Sequence, residues 1–146
     1  RYDIASRPMP AWREGRRLQF ELQCCPVGRK SRSGVEKDLF LIAVESGTSS
    51  PTREQVYCDW VRRGIEENGA ALVHRLSLEG FRLVRQIRRT SGFKSERKAA
   101  VLIRPMAIIR GELTVGNPTA FSTLLERGIG RHRAFGYGML LLRPAG

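Results

Sequence analysis

Histidine and cysteine are scarce in this chain, with two and three residues among 146. No C-x-x-C pair is present, which leaves a structural zinc site without a ligand set. The three cysteines are odd in number. Cys24 and Cys25, adjacent on an expected strand, would point to opposite faces and make poor disulfide partners, so packing roles in a reducing, cytoplasmic compartment are expected. No apolar run approaches the roughly 18–20 residues of a membrane span and no signal-peptide pattern appears, so no membrane is expected among the partners. A Ser-His-Asp set, paired carboxylates and a Walker A loop are all missing from the pattern. The sequence therefore displays no active site of its own, and no metal or other cofactor is expected.

Acidic residues are also few. Fourteen Asp and Glu face 26 Lys and Arg, giving a formal net charge of +12 and a sequence pI near 10.9. That imbalance points to a polyanionic partner, because every phosphate neutralised by a cation releases counterions. The length suits one domain with an ordinary core, preceded by a short lead-in over 1–15. Since the chain starts at Arg1 rather than at Met, it reads as a piece of a longer protein or as a processed product.

Local patterning supplies the elements. Leu18, Phe20, Leu22 and Cys24 alternate with Gln19, Glu21 and Gln23 as a half-buried strand ended by Pro26 and Gly28. A basic loop spans 28–37, and Leu39 to Val44 is expected to be a second short strand. Thr52 and Gln55 form a capping box behind Pro51, opening a helix whose apolar stripe includes Val56, Tyr57, Trp60, Val61 and Ile65 and which Asn68-Gly69 stops. Leu72–Leu78 reads as a strand, and 81–109 as a long hairpin turning near Ser91-Gly92. Ala107, Ile109, Leu113 and Val115 alternate as a core strand. Asn117 caps a second helix with Pro118 in its first turn and Phe121, Leu124, Leu125 and Ile129 on its buried face, and Met139–Leu142 is the last strand. This order predicts an α+β, ferredoxin-like (βαββαβ) fold over 16–146 with a basic β-hairpin insertion and a C-terminal glycine-rich loop.

Two segments carry the chemistry. The first is the loop Gly128, Gly130, Arg131, His132, Arg133, Gly136 and Gly138, whose glycines permit positive φ and close approach of a ligand, and whose cations suit phosphate. Its glycine spacing is not a dinucleotide fingerprint, because Arg133 occupies the third glycine position and the strand follows the loop. The second is 82–104, where Arg82, Arg85, Arg88, Arg89, Lys94, Arg97, Lys98 and Arg104 face the single acid Glu96. Edge strands use Lys and Arg to block aggregation, but this excess is larger than that need, and the preference for Arg suits bidentate phosphate and base-edge contacts. His74 reads as a surface or structural residue and His132 as a ligand contact rather than a catalyst.

The run Gly128–Gly138 followed by Met139-Leu140-Leu141-Leu142-Arg143-Pro144 resembles the signature of the CasE-type CRISPR-associated endoribonucleases of the RAMP superfamily. Ile109–Val115 leading to Pro118, the strand Leu18–Val27 and the helix around Trp60 are similar to further segments of that family, so the resemblance covers about 15–145. It implies two tandem ferredoxin-like domains, of which this chain is the second, C-terminal RNA-binding one with its lead-in from a missing N-terminal domain. It implies a CRISPR repeat RNA stem-loop as ligand, with the basic hairpin at the end of the stem and the glycine-rich loop supporting the RNA backbone. Other subunits of a type I-E Cascade complex are implied as partners. Cleavage in the family is metal-independent, with a ribose 2′-OH attacking the neighbouring phosphate, aided by a histidine and often a tyrosine of the first domain. Neither His74 nor His132 matches that histidine, so no catalytic residue is carried over. Two alternatives are a non-catalytic RAMP-type scaffold subunit of a ribonucleoprotein complex and an ordinary basic RNA-binding protein such as a ribosomal one.

Overall fold

The computed structural model describes residues 5–6, 8–29, 34–47, 49–88 and 100–145. Strand β1 (Arg17–Cys24) follows the alternation of its sequence, with Leu18, Phe20, Leu22 and Cys24 buried on one side. Two three-residue strands come next, β2 (Val27–Arg29) and β3 (Glu36–Asp38), which pair with one another and take up both ends of the basic loop expected over 28–37. Lys30–Ser33 of that loop lie outside the described residues.

The expected strand over Leu39–Val44 is instead a helix, α1 (Leu39–Glu45). A run of six apolar residues has no period to separate the two forms. The Asp38 carboxylate decides, by accepting the Phe40 backbone N–H at 2.9 Å and so capping the first turn. The same carboxylate accepts the Tyr57 hydroxyl (2.7 Å) and an N–H of Arg53 (2.5 Å). The Arg53 guanidinium lies over the Phe40 and Phe81 rings at 4.3 and 4.0 Å. One aspartate thereby ties three elements together.

Helix α2 (Arg53–Glu66) starts at the expected Thr52–Gln55 capping box and buries Tyr57, Val61 and Ile65, spaced four apart on one face. A 3-10 turn (Glu67–Gly69), with Asn68 left-handed at φ 56, leads into β4 (Ala71–Arg88). β4 and β5 (Ala100–Val115) are each continuous, joining what reads in sequence as a strand plus a separate hairpin, with register irregularities at Val73/Arg75 and Leu78/Gly80. The turn expected near Ser91-Gly92 lies outside the described residues. Helix α3 (Pro118–Arg127) carries its Asn117 cap, the side chain accepting the Ala120 N–H at 2.9 Å. β6 (Leu140–Pro144) closes the fold.

The main sheet is antiparallel with strand order β4-β5-β1-β6, so each of the two longer crossovers passes over one intervening strand. Helices α2 and α3 share one face, where Tyr57, Val61, Ile65, Phe121 and Leu124 pack with Leu18, Phe20, Leu22, Ile109 and Leu113. Each fully buried side chain of this size contributes about 1.5–3 kcal/mol. In the lead-in, Trp12 sits edge-on to Phe121 at 5.2 Å. The uncovered face is polar: Arg17 and Arg75 bind Glu112, Arg110 binds Glu21, and Arg143 donates to Gln19. Cys24 lies in the main core, and Cys25, just past the end of β1, in a smaller cluster with Val27, Met106 and Tyr137.

Candidate nucleic-acid interface

β4 and β5 run on beyond the sheet. β1 accompanies β5 only from Thr114 to Ala107, so from Met106 to Ala100 β5 is paired with β4 alone among the described strands. The seven pairs from Arg82↔Met106 to Arg88↔Ala100 form a finger, roughly 23 Å long at ~3.3 Å per residue. Strand alternation sorts its arginines. Arg82 and Arg104 share a face with Val84 and Met106, whereas Arg85 shares the other with Leu83 and Ile103. Arg82 and Arg85 are exposed and have no ion-pair partner among the described residues. Arg88 pairs with Ala100 through its backbone; Arg89, Lys94, Arg97 and Lys98 lie outside the described residues.

The glycine-rich loop begins where Gly128, at φ 70, ends α3. Its base is pinched shut: Ile129 N–H donates to the Gly138 carbonyl at 2.9 Å, and Gly138 N–H to the Gln23 carbonyl of β1 at 2.8 Å. A Cβ at Gly128 would lie 2.6 Å from the Gly138 oxygen, and one at Gly138 2.5 Å from the Ile129 oxygen. At Gly130, with φ +82, a Cβ would strike the Trp60 ring at 2.7 Å. Three of the four glycines therefore serve the loop's packing against its own protein, and among the four only Gly136 has open space where a side chain would be. Tyr137, buried between Gly136 and Gly138, packs with Met106 and Cys25. That contact seats the loop on the finger face carrying Arg104.

An acid holds the joint. The Glu36 carboxylate of β3 accepts from His132 Nε2 at 2.7 Å and from Arg131 at 3.5 Å, and lies 3.8 Å from Arg104. Arg104 in turn donates to His132 Nδ1 at 2.8 Å. A guanidinium has no acceptor, so Nδ1 accepts and the ring proton sits on Nε2, facing the carboxylate. Burial works against the charge of Glu36, but the His132 hydrogen bond and the Arg104 and Arg131 guanidiniums outweigh it and hold the carboxyl below its ordinary value. Of the loop's cations, Arg133 donates to the Arg127 carbonyl at the end of α3, where the helix dipole favours positive charge. His132 has both ring nitrogens engaged, and Arg131 keeps 42% of its side chain exposed. His74 is exposed and bonds Thr114 Oγ1 at 2.6 Å, in keeping with a surface role.

The structure thus joins the loop to the base of the finger and places Arg82 on the finger face where the loop is seated, with Arg85 on the opposite face. Sequence reasoning missed Glu36 and the engagement of Arg104. The available signal was a pair of acids, Glu36 and Asp38, closing an otherwise basic loop, and both turn out to anchor cations.

A family model described as CRISPR associated protein matches residues 2–144. A curated relative, the CRISPR-associated endoribonuclease Cse3 of Thermus thermophilus, is 28% identical over 145 residues, covering 92% of this chain and 59% of the relative. Among solved structures, CRISPR endoribonuclease Cse3 bound to a 19-nucleotide RNA superimposes with a TM-score of 0.71 at 23% identity, over 95% of this chain and 61% of that one. A chain of a CRISPR RNA-guided surveillance complex gives 0.66 at 21% identity, over 99% and 66%. The Cas6e protein of Escherichia coli K-12 gives 0.52 at 20%, over 96% and 66%. These structures share the mixed α+β architecture, and this chain spans about three-fifths of the curated relative's length.

Proposed function

Because this chain belongs to the CRISPR-associated protein family, we propose that it binds CRISPR repeat RNA as the C-terminal part of an endoribonuclease that processes the precursor, in the manner its relatives' names describe. The observation that carries this reading is the junction at Glu36, which ties the base of the finger to the glycine-rich loop, and the proposal takes their exposed cations as one RNA-facing surface. Arg82 projects from the finger face on which the loop is seated, without a carboxylate partner among the described residues, and Arg131 borders it from the loop. A double-stranded stem presents its phosphates to such a surface, and bidentate guanidiniums suit them. We assign binding and positioning of RNA to this chain, not bond cleavage: His132 is engaged at both nitrogens and His74 faces Thr114. Incorporation into an RNA-guided surveillance complex, in the cytoplasm, completes the proposal.

The test is a gel-shift titration of the chain against a repeat-type RNA hairpin, an unstructured RNA and a DNA duplex. Preferential binding of the hairpin is expected, and Arg82→Ala should weaken it about fivefold or more, since a charged contact is worth on the order of 1 kcal/mol or more, while Arg85→Ala on the opposite face should weaken it less. Equal affinity for all three nucleic acids would count against stem-loop recognition, and an unaltered Arg82→Ala variant would move the interface off this face of the finger.

A further inference from the structure

We propose that Phe135 is a base-stacking residue whose ring takes the face of an unpaired nucleotide in the RNA held by the finger and loop. The inference rests on the RNA-binding reading above and adds to it a site for a single-stranded base. Among the exposed large apolar side chains of the described residues two are aromatic. Phe81, 38% exposed, already has the Arg53 guanidinium over its ring at 4.0 Å. Phe135 is 66% exposed, and its nearest ring neighbour, His132, is 6.3 Å away and tilted by 46°. Its face is open.

The backbone that carries the ring is also held in place. Phe135 closes a 3-10 turn between two left-handed residues, His132 at φ 65 and Gly136 at φ 85. Its N–H donates to the His132 carbonyl at 2.9 Å, and the next N–H donates to the Arg133 carbonyl at 3.0 Å. On either side the chain is anchored, by the Glu36 bridge to His132 and by the buried Tyr137. A Phe has two side-chain torsions to fix, so little conformational entropy opposes its use as a contact.

The loop's charge names the ligand. Arg131 precedes the aromatic turn and Arg133 opens it, and both are exposed. A π-face beside guanidiniums matches a nucleotide, with the base on the ring and the phosphate on the cation, and stacking of this kind tolerates any base. A paired base within a stem has both faces covered, which leaves an unpaired nucleotide next to the stem as the occupant.

The experiment uses fluorescence anisotropy with two RNAs that share one stem, the first blunt-ended and the second carrying unpaired flanking nucleotides. Phe135→Ala should weaken binding of the second about five- to a hundredfold and leave the first within about twofold. Phe135→Trp should retain wild-type affinity. Phe135→Leu, which keeps apolar bulk without a π-face, should behave like Ala. A 2-aminopurine at the unpaired position should be quenched by wild type and not by Phe135→Ala. If wild type binds both RNAs and Phe135→Ala matches it on each, or if Leu restores binding, the stacking role is refuted while the RNA-binding reading stands. A wild-type chain that binds neither RNA overturns that reading and this inference with it.

Discussion

Glu36 places a single negative charge among Arg104, Arg131 and His132, and only 20% of its side chain meets solvent. Replacing it with Gln keeps the size and an acceptor for the His132 Nε2 proton, but removes the negative charge that faces the Arg104 and Arg131 guanidiniums. The cost expected is about 1–2 kcal/mol, a charged hydrogen-bond value reduced for partial exposure. Its pH dependence has a definite sign. The folded-state carboxyl titrates below its ordinary value of 4.5, so its contribution is complete above pH 4.5 and is lost as pH falls through the folded value. Glu112, lowered by Arg17 and Arg75 against the opposing effect of burial, acts in the same window. Urea midpoints measured from about pH 6 downward should be flat for wild type until about 4.5 and then decline, and Glu36→Gln should start lower and decline less. Parallel curves for the two proteins would show that the charge of Glu36 contributes nothing to holding the joint.

Elements were legible where their signals are local. The caps at Thr52 and Asn117, the four-residue spacing of Tyr57, Val61 and Ile65, and the alternation from Leu18 to Cys24 all depend on neighbours in sequence, and each element stands where those signals put it. The loop's position was legible for the same reason, since closely spaced glycines mark it. What the glycines are for was not, because the Trp60 ring and the Gly138 carbonyl that forbid a Cβ come from other parts of the fold. Helix α1 was hidden for a related reason: Asp38, which starts it, is fixed by Tyr57 and Arg53 of a later helix. Asp38→Ala removes a helix cap, takes the acceptor from the buried Tyr57 hydroxyl, which still accepts from Arg53, and leaves Arg53 without its carboxylate, for an expected loss of roughly 2–4 kcal/mol. Tyr57→Phe removes the buried hydroxyl alone and should cost about 1 kcal/mol. Denaturant unfolding checks both, and near-equal losses would mean that Asp38 acts only through Tyr57.

Across the whole molecule, the net charge of +12 divides into cations that are spent internally and cations that are not. On the uncovered sheet face, Arg17, Arg75 and Arg110 each face a carboxylate of Glu112 or Glu21. Arg82 and Arg85 on the finger have no such partner among the described residues. Only unspent cations can exchange counterions for phosphates without first breaking an ion pair, so the salt dependence of RNA binding should report on the finger. If ~5 phosphates are contacted, log K should fall with log salt at a slope of roughly −4. Arg82→Ala should bring that slope to about −3, since the lost contact removes ~0.9, and Arg85→Ala, on the finger face away from the loop, should change it less. Arg110→Ala breaks the pair with Glu21 and should leave the slope where it was. The reverse pattern, in which Arg110→Ala flattens the slope and the finger variant does not, would put the RNA on the sheet rather than on the finger and loop.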